Sequence, residues 1–163
     1  MVREYNKAVK DQLTCEADSD CRYFDFGQAV VWDVGYDVNH NPVEYARNFI
    51  CNAIENKCGD VLIAKKGDKV VGGLFVAWDH RKAYSLYSYY DREYKGGVIQ
   101  FLYKEMFCYV KEKLGLSQID LEGSVIKGVE RFFISMAAEQ EIYFNMHWKK
   151  DYDTIHNEFY DYE

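Results

Sequence analysis

Hydrophobic positions recur along the chain with two different periods. Residues 1–12 (MVREYNKAVKDQ) set Val2, Tyr5 and Val9 at helical spacing in a polar background. Such a narrow stripe predicts a helix that leans on something else. Residues 13–41 carry no decisive period. Asp18-Ser19-Asp20 and Asp33 to Asn41 read as turns, while the short apolar runs Tyr23–Phe26 and Ala29–Trp32 suit helix or strand equally. Over 42–56, Pro42 fits a first turn, and Tyr45, Phe49, Ile50, Ala53 and Ile54 follow at helical spacing. Lys57-Cys58-Gly59-Asp60 ends that helix.

The pattern then shortens. Val61–Lys65 predicts a strand, Lys66-Gly67-Asp68-Lys69 a hairpin turn, and Val70–Trp78 a second strand. Gly72-Gly73 inside it predicts a bulge or a close backbone approach. Asp79–Lys82 turns the chain into a third strand, Ala83–Tyr90. Strict alternation puts Tyr84, Leu86, Ser88 and Tyr90 on one face and Ser85, Tyr87 and Tyr89 on the other. After the loop Asp91–Gly97, Val98, Phe101, Leu102, Met106, Tyr109, Val110 and Leu114 mark an amphipathic helix ending near Gly115. Gln118–Leu121 predicts a short strand. Gly128–Ala138 predicts a helix burying Val129, Phe132, Phe133 and Met136, and Glu141–Trp148 a last strand. The fold class is mixed α/β: an antiparallel strand meander followed by helix, strand, helix and strand. One domain is expected over 1–148, with its first 14 residues a connector-like helix and an acidic tail at 149–163.

Composition bounds this picture without changing it. A chain of 163 residues with 48% hydrophobic and 29% charged residues has the length for one domain and the apolar content for a core. Net charge is 20 − 27 = −7. Five acids and no Lys or Arg fall in residues 151–163, so the rest of the chain carries only −2. That balance argues against a DNA partner or bulk RNA binding. No apolar run reaches the ~18 residues of a membrane span, and the opening residues do not resemble a secretory signal, so a cytoplasmic location is expected. The five Cys (15, 21, 51, 58, 108) match no zinc or redox spacing and read as reduced structural thiols.

Three places carry candidate chemistry. In the loop before the long helix, Gly96 and Gly97 permit close backbone approach, Arg92 and Lys95 add positive charge, and the helix start at Val98 offers free N–H groups. That combination suits a pyrophosphate, and equally an ordinary helix start. Asp120 and Glu122 stand two apart at a strand's carboxyl end, hence on one face. A carboxylate pair there can raise one member's pKa into a base for an amine; the plainer reading is a turn residue and a capping acid. Tyr143, in the last predicted strand, is placed to protonate a leaving thiolate or simply to pack. The four His are scattered, and no nucleophilic triad or metal set emerges from spacing.

Several segments together resemble a known family. They are Val71-Gly72-Gly73-Leu74-Phe75, Tyr84-Ser85-Leu86-Tyr87, Asp91-x-Glu93-Tyr94, Phe101-Leu102, Ile119-Asp120-Leu121-Glu122-Gly123-Ser124, and Gly128-Val129-Glu130-Arg131-Phe132-Phe133 with Ala138-Glu139. In this order they resemble the GCN5-related N-acetyltransferase (GNAT) fold, and within it the FemABX-like acetyltransferase domain, the second half of tandem bacterial transferases. Arg3-x-Tyr5-Asn6-Lys7-Ala8 resembles the connector after a first domain. The loop differs from the family's Gln/Arg-x-x-Gly-x-Gly/Ala by one residue, and Phe132-Phe133 stands where FemABX relatives carry Phe-Lys. The resemblance implies an N-acyltransferase. Its donor would be acyl-CoA, held by Arg92, Lys95, Gly96, Gly97 and Val98. No metal is implied, and Glu122, Asp120 and Tyr143 are the candidate catalytic residues. The implied acceptor is an amine-bearing small molecule or cell-wall precursor, with aminoacyl-tRNA as the other donor the family uses. A missing N-terminal GNAT-like domain, or a second copy of this chain, is the implied protein partner. The alternative is a non-catalytic binding module left from a tandem transferase.

Overall fold

The structure is a computed structural model that describes residues 2–30, 41–94, 96–122 and 127–141. Five strands form one sheet in the order β1 (Thr14–Ala17), β2 (Gly59–Lys66), β3 (Lys69–Trp78), β4 (Ala83–Tyr90) and β5 (Ile119–Asp120). The first three pairings are antiparallel and the last is parallel. Helix α4 (Val98–Glu112) is the crossover that a parallel β4–β5 pair requires.

Helices cover both faces. On one side α4 packs with α1 (Val2–Lys10) and α5 (Lys127–Ser135) over Leu62, Ala64, Val71, Leu74 and Val76. On the other, α2 (Phe26–Ala29) and α3 (Pro42–Glu55) cover Val61, Ile63, Phe75 and Tyr89. This is why β2 reads as an unbroken apolar run: both of its faces are buried. Asn41 caps α3, its side-chain oxygen accepting from the N–H groups of Val43 and Glu44, and Pro42 opens the first turn.

The glycine pair does allow close approach. A Cβ on Gly72 would meet Val98 at 2.6 Å, and one on Gly73 would meet Tyr89 at 2.6 Å. The bulge sits beside them. Ala64 pairs with Gly72 and Lys65 with Val70, so Val71 is the extra residue. A second bulge overturns the expected alternation of β4. Phe75 pairs with Tyr87 and Val76 with Ser85, leaving Leu86 extra. Leu86 and Tyr87 therefore both join the α3 side, while Ser85 faces α4 and its hydroxyl donates to the Tyr103 hydroxyl at 3.1 Å.

Other expectations shift for local reasons. In α1 the buried position is Ala8; Val2 and Val9 stay 70% and 48% exposed, because the helix turns its Glu4–Tyr5–Ala8 side to α4. Tyr5 stacks on Phe101 at 6.2 Å. β1 lay in the undeciphered stretch, since Thr-Cys-Glu-Ala has no alternation to read. Phe132 and Phe133 of α5, and Met136 just after it, are half-buried rather than buried, resting on the rim of the α4 core. The expected strand over 141–148 and the acidic tail lie outside the described residues, apart from Glu141. No helix among the described residues is long and apolar enough to cross a membrane.

Candidate active site

The parallel pairing of β4 and β5 covers only Ala83↔Ile119 and Tyr84↔Asp120. Beyond Tyr84, β4 has no further partner on that side among the described residues. Its backbone edge opens toward the carboxyl ends of the two strands, where ligands bind in α/β sheets. Two groups of side chains flank this opening: the loop leading into α4, and the acid pair following β5.

Asp91 organises the loop. Its side chain accepts from the Glu93 N–H at 2.9 Å and from the Lys69 ammonium at 2.7 Å, and its carbonyl accepts from the Tyr94 N–H at 3.0 Å. The Lys69 bond, then the Glu93 N–H, hold its carboxyl below the usual range. Gly97 precedes the first turn of α4 with a left-handed φ of 71°, and that turn contains no acid. The positive end of a fifteen-residue helix therefore lies at the end of β4. The two glycines also serve the chain's own packing. A Cβ on Gly96 would lie 2.0 Å from the Tyr94 ring, and one on Gly97 would lie 2.2 Å from the Glu4 carbonyl oxygen. Val98 is 2% exposed, so its side chain belongs to the core and only its backbone can face a ligand. Arg92 is exposed in the loop, and Lys95 lies outside the described residues.

Asp120 and Glu122 do come together, but through a turn rather than the pleat. β5 ends at Asp120, and Glu122 takes a left-handed φ of 59°. The Glu122 N–H donates to Asp120 Oδ1 at 2.9 Å. Asp120 Oδ2 accepts from the Lys82 ammonium. The two carboxyls are thereby driven apart. Partial burial pushes Asp120 up, but Lys82 and the Glu122 N–H outweigh it and its carboxyl sits below the usual range. Burial pushes Glu122 up, the Asp120 charge adds to that, and Lys82 opposes it only in part. Two neighbouring acids with opposed shifts are the arrangement from which one emerges as a base. Tyr143 lies outside the described residues.

Glu122 lines a shallow open cleft of about 510 Å³ on the α3 side of the sheet. Phe49 and Asn52 of α3, with Asn56 just past its end, form one wall. Trp78 at the end of β3, with Tyr84 and Leu86 of β4, form the other. The β4 bulge puts Leu86 in this wall. Asp79 fixes the turn at its mouth, accepting from the N–H groups of Arg81 at 2.6 Å and Lys82 at 2.9 Å and from the Tyr84 hydroxyl at 2.8 Å. The Lys82 and Arg81 N–H bonds, then Tyr84, bring its carboxyl down to about 2. The Lys82 ammonium stands 5.1 Å over the Tyr84 ring.

Sequence reasoning missed Lys82, Tyr84 and the cleft wall. Asp79 at the head of a turn was legible. That Lys82 would reach Asp120, 38 positions away, depends on the parallel β4–β5 register, which no local pattern encodes. No metal-holding group of His, Cys, Asp and Glu occurs among the described residues.

Comparison with known proteins agrees with this architecture. A family model described as an acetyltransferase (GNAT) domain matches residues 32–133. No curated protein matches the chain. Among solved structures, a possible acetyltransferase from Clostridium difficile 630 superposes with a TM-score of 0.66 at 12% identity, over 86% of this chain and 99% of its own. An aminoglycoside acetyltransferase from an uncultured soil metagenomic sample, solved with sisomicin, gives 0.60 at 17% identity, over 86% and 99%. A predicted acetyltransferase from Clostridium acetobutylicum, solved with acetyl-CoA, gives 0.59 at 12% identity, over 83% and 96%. At these identities the likeness is one of fold.

Proposed function

The chain belongs to the GNAT acetyltransferases, and from that premise we propose that it transfers an acyl group from acyl-CoA to an amine held in the Glu122 cleft. The observation that carries the reading is Glu122 itself: a carboxylate of raised pKa, lining a cleft at the point where β4 and β5 part. An acetyl-CoA-bound structural neighbour supports the donor. For a pyrophosphate, the fitting groups here are the N–H groups of the first turn of α4, with Arg92 and Lys95 for charge. The separation of roles follows the strand geometry, with donor charge at the far end of β4 and acceptor nitrogen near Glu122.

The chemistry asked of the chain is modest. An acceptor arriving as ammonium gives one proton to the Glu122 carboxylate, which passes it to water. The neutral nitrogen attacks the thioester carbonyl; a C–N bond forms and the C–S bond breaks. One of the two protons left on that nitrogen goes to the departing thiolate, giving the free thiol, and the other stays on the amide nitrogen. No covalent enzyme intermediate is needed, so positioning and proton transfer supply the acceleration. Glu122→Gln is expected to lower kcat by about 10²-fold or more, the usual worth of a general base. The KM for acetyl-CoA should stay nearly unchanged. Steady-state kinetics with an amine panel measure both, and undiminished turnover would remove Glu122 from this role.

A narrower form of the proposal is the FemABX-like relation, with aminoacyl-tRNA as donor and a cell-envelope precursor as acceptor. Its support is the pairing of Asp120–Ser124 with Gly128–Phe133 in the sequence. Salt-sensitive retention of charged tRNA on a filter tests it. One observation favours a second reading, a non-catalytic module: the Gly96 and Gly97 cradle is met by the chain's own Tyr94 and Glu4. Failure to bind acetyl-CoA is the result that would prefer it.

A further inference from the structure

Cys21 and Cys51 meet on the α3 side of the sheet. Cys51 stands within α3, and Cys21 lies in the connection from β1 to α2. The Cys21 thiol hydrogen-bonds the Cys51 thiol, and the Cys21 side chain rests on the core that includes Ile50. Both residues are only half-buried, so a small oxidant can reach the pair. The connection is built to hold this contact. The Cys21 N–H donates to the Asp18 carbonyl at 3.0 Å. The Asp18 carboxylate accepts from the N–H groups of Arg22 at 3.0 Å and Tyr23 at 2.8 Å. Cys21 itself takes a left-handed φ of 53°, a conformation that glycine adopts freely and a residue with a β-carbon adopts at a cost. That cost is met where the side chain has a use, and here it sets one sulfur against another.

We propose that Cys21 and Cys51 form a reversible disulfide when hydrogen peroxide reaches them, a redox site that fastens the β1–α2 connection to α3. The inference stands apart from the transfer reading and does not need it. Cys21 donates the hydrogen bond, and burial first, then Cys51, push its thiol up to about 12. Cys21 therefore keeps its proton, and Cys51 reacts first. Cys51 gives up its proton and its sulfur attacks the peroxide. An S–O bond forms, the O–O bond breaks, and the released hydroxide takes up a proton and leaves as water, with Cys51 now the sulfenic acid. The Cys21 sulfur then displaces that hydroxyl. The S–S bond forms, the S–O bond breaks, and the hydroxide leaves with the Cys21 proton as a second water. The thiol pair loses two electrons and one peroxide gains them. The bridge ties the end of β1 to the helix whose Phe49 and Asn52 wall the Glu122 cleft.

Intact-mass measurement and peptide mapping of the full chain, before and after hydrogen peroxide, test the proposal without requiring turnover. The expected product is lighter by two hydrogens and is restored by dithiothreitol. Trypsin should release residues 11–22 joined to 48–57, with fragmentation placing the link at Cys21 and not at Cys15. Closing the chain between positions 21 and 51 should raise Tm by roughly 4 °C or more over the reduced protein. Cys51→Ser should lose both the bridge and the rise, while Cys108→Ser, a change on α4, should keep both. A link between any other pair of cysteines overturns the inference. So does sulfinic acid at Cys51 with Cys21 still open to alkylation, or a full set of free thiols in excess peroxide. A Cys21–Cys51 bridge that leaves Tm unchanged refutes the fastening of α3.

Discussion

The acid pair at the end of β5 shows how three residues divide one chemical task. Lys82 neutralises Asp120, and Asp120 in turn lifts Glu122. The sign of this coupling is testable. Glu122 acts as a base only when ionised, so turnover falls as pH drops through its raised pKa. Asp120→Asn removes the negative charge that raises Glu122 and releases Lys82, whose charge lowers it. Both effects lower the Glu122 pKa. The acidic limb of the kcat/KM profile should therefore move to lower pH in Asp120→Asn, with the alkaline limb unmoved. An acidic limb that stays in place would mean another group titrates there.

At the scale of elements, the two bulges decide what faces what. Val71, extra on β3, lets Val71 and Gly72 both face α4; Leu86, extra on β4, turns Leu86 and Tyr87 together to α3. Gly72 is consequently pressed beneath α4. Gly72→Ala sets a methyl 2.6 Å from Val98 and 2.9 Å from the Tyr89 carbonyl oxygen, and is expected to cost about 1–3 kcal/mol by overpacking. Gly115→Ala meets open space and pays only for its φ of 69°, about 1 kcal/mol. Urea denaturation of both variants should rank them in that order, and equal midpoints would refute the packing account. These elements also mark what the sequence could tell. The hairpin, the α4 stripe and the Pro42 helix were legible because each pattern is local and long. The glycine pair announced a close approach. The β4 face assignment failed because a bulge is a property of two strands, and only Leu86's partner strand reveals it. β1 was illegible since four residues, three of them polar or small, carry no period.

The whole molecule joins two cores through one sheet, and the proposed ligands address different faces of it. The acceptor cleft belongs to the α3 side, whereas the helix end proposed for the donor belongs to the α4 side, braced by α1 through Glu4 at Gly97. Donor binding should therefore survive loss of the base. Acetyl-CoA at a hundred times its Kd would add about 2.7 kcal/mol to the folded state. For a chain of this length that raises Tm by roughly 5–11 °C. Glu122→Gln should show the same rise, because its carboxylate takes no part in holding the donor. Arg92→Glu should lose most of it, because a negative charge then opposes the pyrophosphate. A rise abolished equally by both variants would merge the two sites into one and contradict the division drawn from the sheet. No rise in the unaltered chain would turn the α1 contact at Gly97 from a brace into a plug, and would favour the binding module over the enzyme.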